Sequence, residues 1–193
     1  MKGVAAMSSL LESTTNTRTV LSGNLRLLRS DAPLSPTAAD IAFLLEHGVT
    51  TLIDLRSDAE VTRKPCPLAE DVRFTYHHMP VTGGNAMPVS PEDVPHSYLR
   101  MVDQQMEHIL RIIRQSEGVM YFCAAGKDRT GVVSALLQRE YGMLPETIAA
   151  EYAISGENLK AMFAIFHAAH PDINVDIYTP KKEYMLQFLR MLA

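Results

Sequence analysis

Residues 118–142 read GVMYFCAAGKDRTGVVSALLQREYG, and this stretch decides the fold. Val119 to Cys123 is a short apolar run after Gly118, the pattern of a buried strand. Ala124 to Asp128 is a loop of small and polar residues with one glycine. From Arg129 onward Val132, Val133, Leu136 and Leu137 recur at helical spacing, and Gly142 supplies a stop. A cysteine therefore ends a strand, an arginine opens a helix, and the loop between them must fold tightly.

Successive backbone N–H groups in such a loop converge on its centre, and the helix N-terminus adds partial positive charge. The loop amides of Ala124, Ala125, Gly126, Lys127 and Asp128 can cradle a dianionic phosphate, and Arg129 can clamp two of its oxygens. Cys123 sits in the same field, where its thiolate would serve as a nucleophile. Thr130 offers a hydroxyl close to the sulfur. Asp128, inside the loop, is the first candidate for a general acid, although a carboxylate that braces the loop reads almost as well. Lys127 is expected to add positive charge at the mouth of the pocket. A packed core cysteine ahead of a helix would leave Gly126, Lys127, Asp128 and Arg129 without a purpose.

The run Cys123-Ala-Ala-Gly-Lys-Asp-Arg-Thr-Gly131 resembles the phosphate-binding loop of the cysteine-based protein tyrosine and dual-specificity phosphatases. It is most similar to the bacterial members that also accept phosphoinositides. Leu52-Ile-Asp54-Leu-Arg56-Ser57, followed by Glu60, resembles another segment of that family. Asn16-Thr-Arg18 and Leu28-Arg29-Ser30 look like eroded forms of its opening motif, and Tyr98-Leu-Arg-Met101 resembles the helix before the catalytic strand. The resemblance implies a phosphatase of phosphoproteins, small phosphomonoesters or phosphoinositides, working through a phosphocysteine; no plausible metal-ligand cluster accompanies the loop, so no metal or other cofactor is expected. It also implies a mobile general-acid loop about thirty residues before the cysteine. Thr82 to Pro95, rich in turn residues, lies there and makes Asp93 the second candidate acid. One residue departs from the family: Phe122 stands where a histidine usually precedes the cysteine. This keeps open a module that binds phosphate without turning it over. An arsenate reductase or sulfurtransferase is a further alternative, and Cys66 could then serve as a resolving thiol.

At 193 residues with a net charge of −4, the chain suits one α/β domain. The expected fold is a mostly parallel central sheet flanked by helices, with residues 1–24 as an irregular lead-in. The charge gives no reason to expect nucleic acid as a partner. Two cysteines argue against a disulfide framework and for a reducing compartment, so the expectation is a cytoplasmic protein with no signal peptide and no integral membrane segment. Secretion without a classical signal stays open.

Elsewhere, Leu25–Leu28, Val49–Leu55 and Phe74–Pro80 read as strands, and Thr37 as the N-cap of a helix that ends at Gly48. Asp54 and Arg56 should stand at the sheet's carboxyl edge, either supporting the site or bracing each other. Cys66 reads as a surface loop thiol. His77 and His78, as strand neighbours, should point to opposite faces and not share a metal. Tyr98, Val102, Ile109 and Ile113 suggest one helix. Pro145–Ile154 and Asn158–Ala169 suggest two helices separated by Gly156, and Thr179-Pro180 the start of a last one. Tyr178, Lys181 and Lys182 could touch substrate there.

Overall fold

A computed structural model of the chain describes residues 9–83 and 86–192. Five strands form one sheet in the order β1-β2-β5-β3-β4. They are β1 (Arg18–Thr19), β2 (Leu27–Asp31), β3 (Thr51–Asp54), β4 (Thr75–His78) and β5 (Val119–Cys123). β2, β5, β3 and β4 run parallel, and only β1 is antiparallel to its neighbour. β5 lies at the centre and every one of its residues is buried, which is why it reads as an unbroken apolar run. The single α/β domain with a mostly parallel sheet is the one expected.

Nine helices are assigned among the described residues: α1 (Ala38–Glu46), α2 (Asp58–Arg63), α3 (Asp93–Leu99), α4 (Gln104–Gln115), α5 (Asp128–Glu140), α6 (Pro145–Asn158), α7 (Lys160–Ala169), α8 (Val175–Tyr178) and α9 (Lys182–Met191). None is long and apolar enough to cross a membrane.

Alternation along the strands splits the core in two. Val119, Tyr121 and Cys123 join Ile53, Val132, Val133, Ile109 and Phe188 on one face. Met120 and Phe122 join Leu28, Leu44, Leu52, Leu68 and Phe74 on the other.

Several boundaries differ from the sequence expectations. Residues 18–19 are a strand within the expected lead-in, and residues 1–8 lie outside the described region. The strand expected at Leu25–Leu28 runs instead from Leu27 to Asp31. The stripe from Tyr98 to Ile113 belongs to two helices, because Asp103 caps the backbone of Met106 and starts α4 afresh. α6 continues through Gly156, whose missing side chain faces Pro180, and the break comes at Leu159. Lys181 caps α9 in place of Thr179-Pro180. Cys66 is buried at 2% exposure in the core layer that holds Leu44, Leu68 and Phe74, with Sγ 3.8 Å from the Pro33 carbonyl. Burial pushes this thiol up to about 11, which suits packing and not exchange.

Candidate active site

Cys123 is the last residue of β5, and its Cα partner on β2 is Asp31. The chain then turns through Ala124–Lys127 and enters α5 at Asp128. Gly126 adopts φ +64, and a Cβ there would lie 2.5 Å from the Ser30 carbonyl group. Only glycine fits so close to β2 in that conformation.

The underside of the loop is tied to the scaffold through its carbonyls. The Ala32 amide donates to the Ala124 carbonyl at 3.4 Å. Asn16 Nδ2 donates to the Ala125 carbonyl at 3.1 Å and the Gly126 carbonyl at 3.0 Å. Arg29 Nη2 adds a bond to the Gly126 carbonyl at 2.8 Å. In a trans peptide the N–H points opposite to the C=O. Fixing these three carbonyls toward the scaffold therefore turns the amides of Ala125, Gly126 and Lys127 toward the other side. Among the described residues none of those amides donates a hydrogen bond. They form a ring of donors at the amino end of a helix, the arrangement that receives an anion.

Beneath Asn16 and Arg29 lies a buried charge cluster. Glu151 accepts from Arg18 Nε and Arg29 Nη1, both at 2.6 Å, while Arg18 also donates to the Ser155 hydroxyl. Removing Glu151 would leave two buried guanidiniums facing each other. The eroded opening motif thus holds the floor of the loop, at a distance in sequence that local patterns do not register.

Arg129 lies on the first turn of α5. Its Nη1 and Nη2 donate to Glu60 at 2.5 and 2.8 Å, and among the described residues this fork leaves Nε and the remaining Nη hydrogens free. Glu60 is itself fixed by a capping box with Ser57 at the start of α2. The Ser57-x-x-Glu60 spacing is the sequence signal for this helix, which is absent from the expectations above. Hydrogen bonding to Arg129 holds the Glu60 carboxyl down at about 2. The stabilisation that follows is complete above the ordinary Glu value of 4.5 and is lost as pH falls through about 2. Urea unfolding across this range should show wild type more stable than Glu60→Gln above pH 4.5, with the gap closing toward pH 2. A gap independent of pH would contradict the pairing.

Asp128 is partly exposed beside the loop. Its Oδ1 accepts from Tyr98 Oη at 2.6 Å and its Oδ2 lies 3.2 Å from Lys127 Nζ. Next to it opens a cavity of about 230 Å³ lined by Met87, Pro88, Tyr98, Met101, Ile177 and Tyr178, among others. Lys127 does not stand at the mouth as a free cation. Its side chain is 7% exposed, its Nζ donates to the Tyr178 carbonyl at 2.5 Å, and it lies over the Phe163 ring. Thr130 is fully buried, and its Oγ1 has no hydrogen-bond partner among the described residues.

Asp93, the other candidate acid, opens α3 and is paired with Arg100 at 3.0 and 3.1 Å. That pairing holds its carboxyl below the usual range. Asp54 and Arg56 are buried against each other at 2.6 Å, with Tyr76 Oη on Asp54 and the Lys64 carbonyl on Arg56. They brace the carboxyl edge of β3 and the loop after it. Of the other residues expected near substrate, Tyr178 lines the cavity, while Lys181 is paired with Asp176.

Phe122 faces the layer opposite Cys123, fully buried, with the Arg56 guanidinium 5.8 Å from its ring centroid. The departure at this position is a packing feature of the far face, and the ring does not lie in the cluster that holds the thiol.

The sequence matches the tyrosine phosphatase family over residues 12–193. A tyrosine-protein phosphatase of Nostoc commune is 33% identical over 135 residues, covering 64% of this chain and 46% of that protein. A Cupriavidus necator protein provisionally named a tyrosine-protein phosphatase is 29% identical over 183 residues, covering 85% of this chain and 66% of the relative. The chain thus spans less than two thirds of the length of both curated relatives. Among solved structures, P. aeruginosa TpbA superposes with a TM-score of 0.45 at 15% identity, over 92% of this chain and 98% of that one.

Proposed function

As the chain belongs to the tyrosine phosphatase family, we propose that it hydrolyses phosphomonoesters, phosphotyrosine first among them, through a phosphocysteine at Cys123. The observation that carries this reading is the orientation of the loop: three carbonyls tied to the scaffold and three amides left without acceptors. The amides and Arg129 would hold the equatorial oxygens of a phosphoryl group as charge redistributes in transfer. Cys123 Sγ attacks phosphorus, forming S–P as the bond to the leaving oxygen breaks. Asp128 delivers a proton to that oxygen. In the second step Asp128 takes a proton from water, which attacks phosphorus and releases Cys123 as the leaving group. The unpartnered Thr130 hydroxyl is available to hydrogen-bond the departing sulfur.

The cavity beside Asp128 favours an aromatic leaving group over a polyanionic one. Its walls include Met87, Pro88, Met101 and Ile177, and its one lysine is committed to the Tyr178 carbonyl and Asp128. A panel of phosphotyrosine peptide, phosphoserine peptide and phosphoinositide, assayed on purified protein, tests this. Phosphotyrosine should give the highest kcat/KM. Faster turnover of the phosphoinositide would overturn the ordering, and no turnover of any member would leave only a phosphate-binding module.

A further inference from the structure

Tyr98 and Tyr152 are both buried, at 1% exposure each, and their hydroxyl oxygens lie 2.5 Å apart. Tyr98 comes from α3 and Tyr152 from α6, and their rings meet edge to face at 6.0 Å. Tyr98 Oη is also 2.6 Å from Asp128 Oδ1. Among the described residues Tyr152 Oη has no hydrogen-bond partner other than Tyr98.

This arrangement has a direction. A phenol carries one proton, and a buried O–H without an acceptor is costly. Tyr152 can satisfy its proton only by donating to Tyr98. Tyr98 then has its oxygen accepting and its single proton pointing at Asp128 Oδ1. The reverse order would leave the Tyr152 proton without an acceptor. Burial, together with the Asp128 charge, raises both hydroxyls well above their ordinary values, so both stay protonated. The carbonyl oxygen of a neutral carboxyl accepts more strongly than its hydroxyl, so the bond from Tyr98 favours Oδ1 as the carbonyl and Oδ2, which lies 3.2 Å from Lys127 Nζ, as the oxygen that carries the proton.

We propose that Tyr98, fixed by Tyr152, is a positioning residue that confines the transferable proton of Asp128 to Oδ2. The inference rests on the reading of Asp128 as the general acid. In the first step the Oδ2–H bond breaks as the leaving oxygen takes that proton and the electron pair of its bond to phosphorus. In the second, Oδ2 recovers a proton from the attacking water. Throughout, Oδ1 holds its bond to Tyr98, so the carboxyl plane does not rotate between steps. Pre-setting that plane removes orientations that cannot transfer the proton.

The test compares phenyl phosphate, whose leaving group needs protonation, with p-nitrophenyl phosphate, which needs little help. In Tyr98→Phe, kcat on phenyl phosphate should fall about tenfold, a portion of the roughly 10²–10⁴-fold that a general acid supplies. KM should hold, and p-nitrophenyl phosphate should lose less than about twofold. In an Asp128→Asn background Tyr98→Phe should cost nothing further, since it acts through that carboxyl. Tyr152→Phe keeps the Tyr98 hydroxyl but frees its rotation, and should show the same selectivity with a smaller loss. It serves also if Tyr98→Phe does not fold. Equal losses on both substrates, or full additivity with Asp128→Asn, would overturn the inference. If Asp128→Asn itself showed no leaving-group dependence, the acid assignment would fail and the inference with it. A selective Asp128→Asn beside an unselective Tyr98→Phe would sink the inference alone.

Discussion

Cys123→Ser is expected to lose turnover by about four orders of magnitude or more while still binding phosphate. In the proposed mechanism the sulfur forms the covalent intermediate, and a serine hydroxyl, ionising far less readily than a thiol, is a much weaker nucleophile. Binding depends on other atoms. The amides of Ala125, Gly126 and Lys127 and the Glu60-held guanidinium of Arg129 are untouched by the substitution. Calorimetry with a phosphotyrosine peptide should therefore return a dissociation constant within about tenfold of the KM of the active enzyme. Vanadate should inhibit the wild type, and EDTA should not, because the loop itself supplies the positive field. Full activity in Cys123→Ser would end the proposed mechanism. Loss of binding along with turnover would mean that the thiol holds the loop in shape.

Asp128→Asn should separate substrates by leaving group. On phenyl phosphate the loss should be about 10²–10³-fold, within the range for a general acid, and on p-nitrophenyl phosphate far smaller. Asparagine keeps the acceptor for Tyr98 and nearly the same volume, so the fold should not change. Uniform losses would assign Asp128 to bracing the loop through Lys127. The same substitution at Asp93 should leave the leaving-group dependence as it is, because Arg100 already commits that carboxylate.

Local signals carried the centre of the molecule. β5 spans Val119–Cys123, as its apolar run indicates, and α5 begins at Asp128, one residue before Arg129. A central parallel strand is buried on both faces and so declares itself without alternation. The need for a left-handed residue within the loop was also visible as Gly126. What supports the loop was not legible in the same way. Asn16 meets the Gly126 carbonyl across 110 residues, and Arg29 across 97. Resemblance pointed to these segments, but nothing in the sequence said that they fasten carbonyls.

The misread residues share a cause as well. In sequence, Lys127 belongs to a phosphate loop and Cys66 to a proline-rich loop, which suggest an exposed cation and a surface thiol. Their surroundings are set by distant elements: the carbonyl of Tyr178 in one case, and the carbonyl of Pro33 with a core layer that includes Leu44 and Phe74 in the other. Asp93 looked like an acid because its loop lies at the right distance before Cys123. In the structure Arg100, seven residues on, forms a salt bridge with that carboxylate. Tyr98 reads in sequence as part of an apolar stripe, and only the fold brings its hydroxyl to Asp128, 30 residues away.

The central claim is that phosphoryl transfer passes through Cys123, and the intermediate itself can be sought. In Asp128→Asn, p-nitrophenyl phosphate needs no acid for the first step, whereas the second lacks the base that activates water. The covalent species should accumulate, with a burst of nitrophenolate matching the enzyme concentration. Rapid quenching followed by mass spectrometry should then place one phosphoryl group on the peptide that contains Cys123. Phosphate on another residue, or turnover by wild type with no burst and no modified peptide in the variant, would contradict the account.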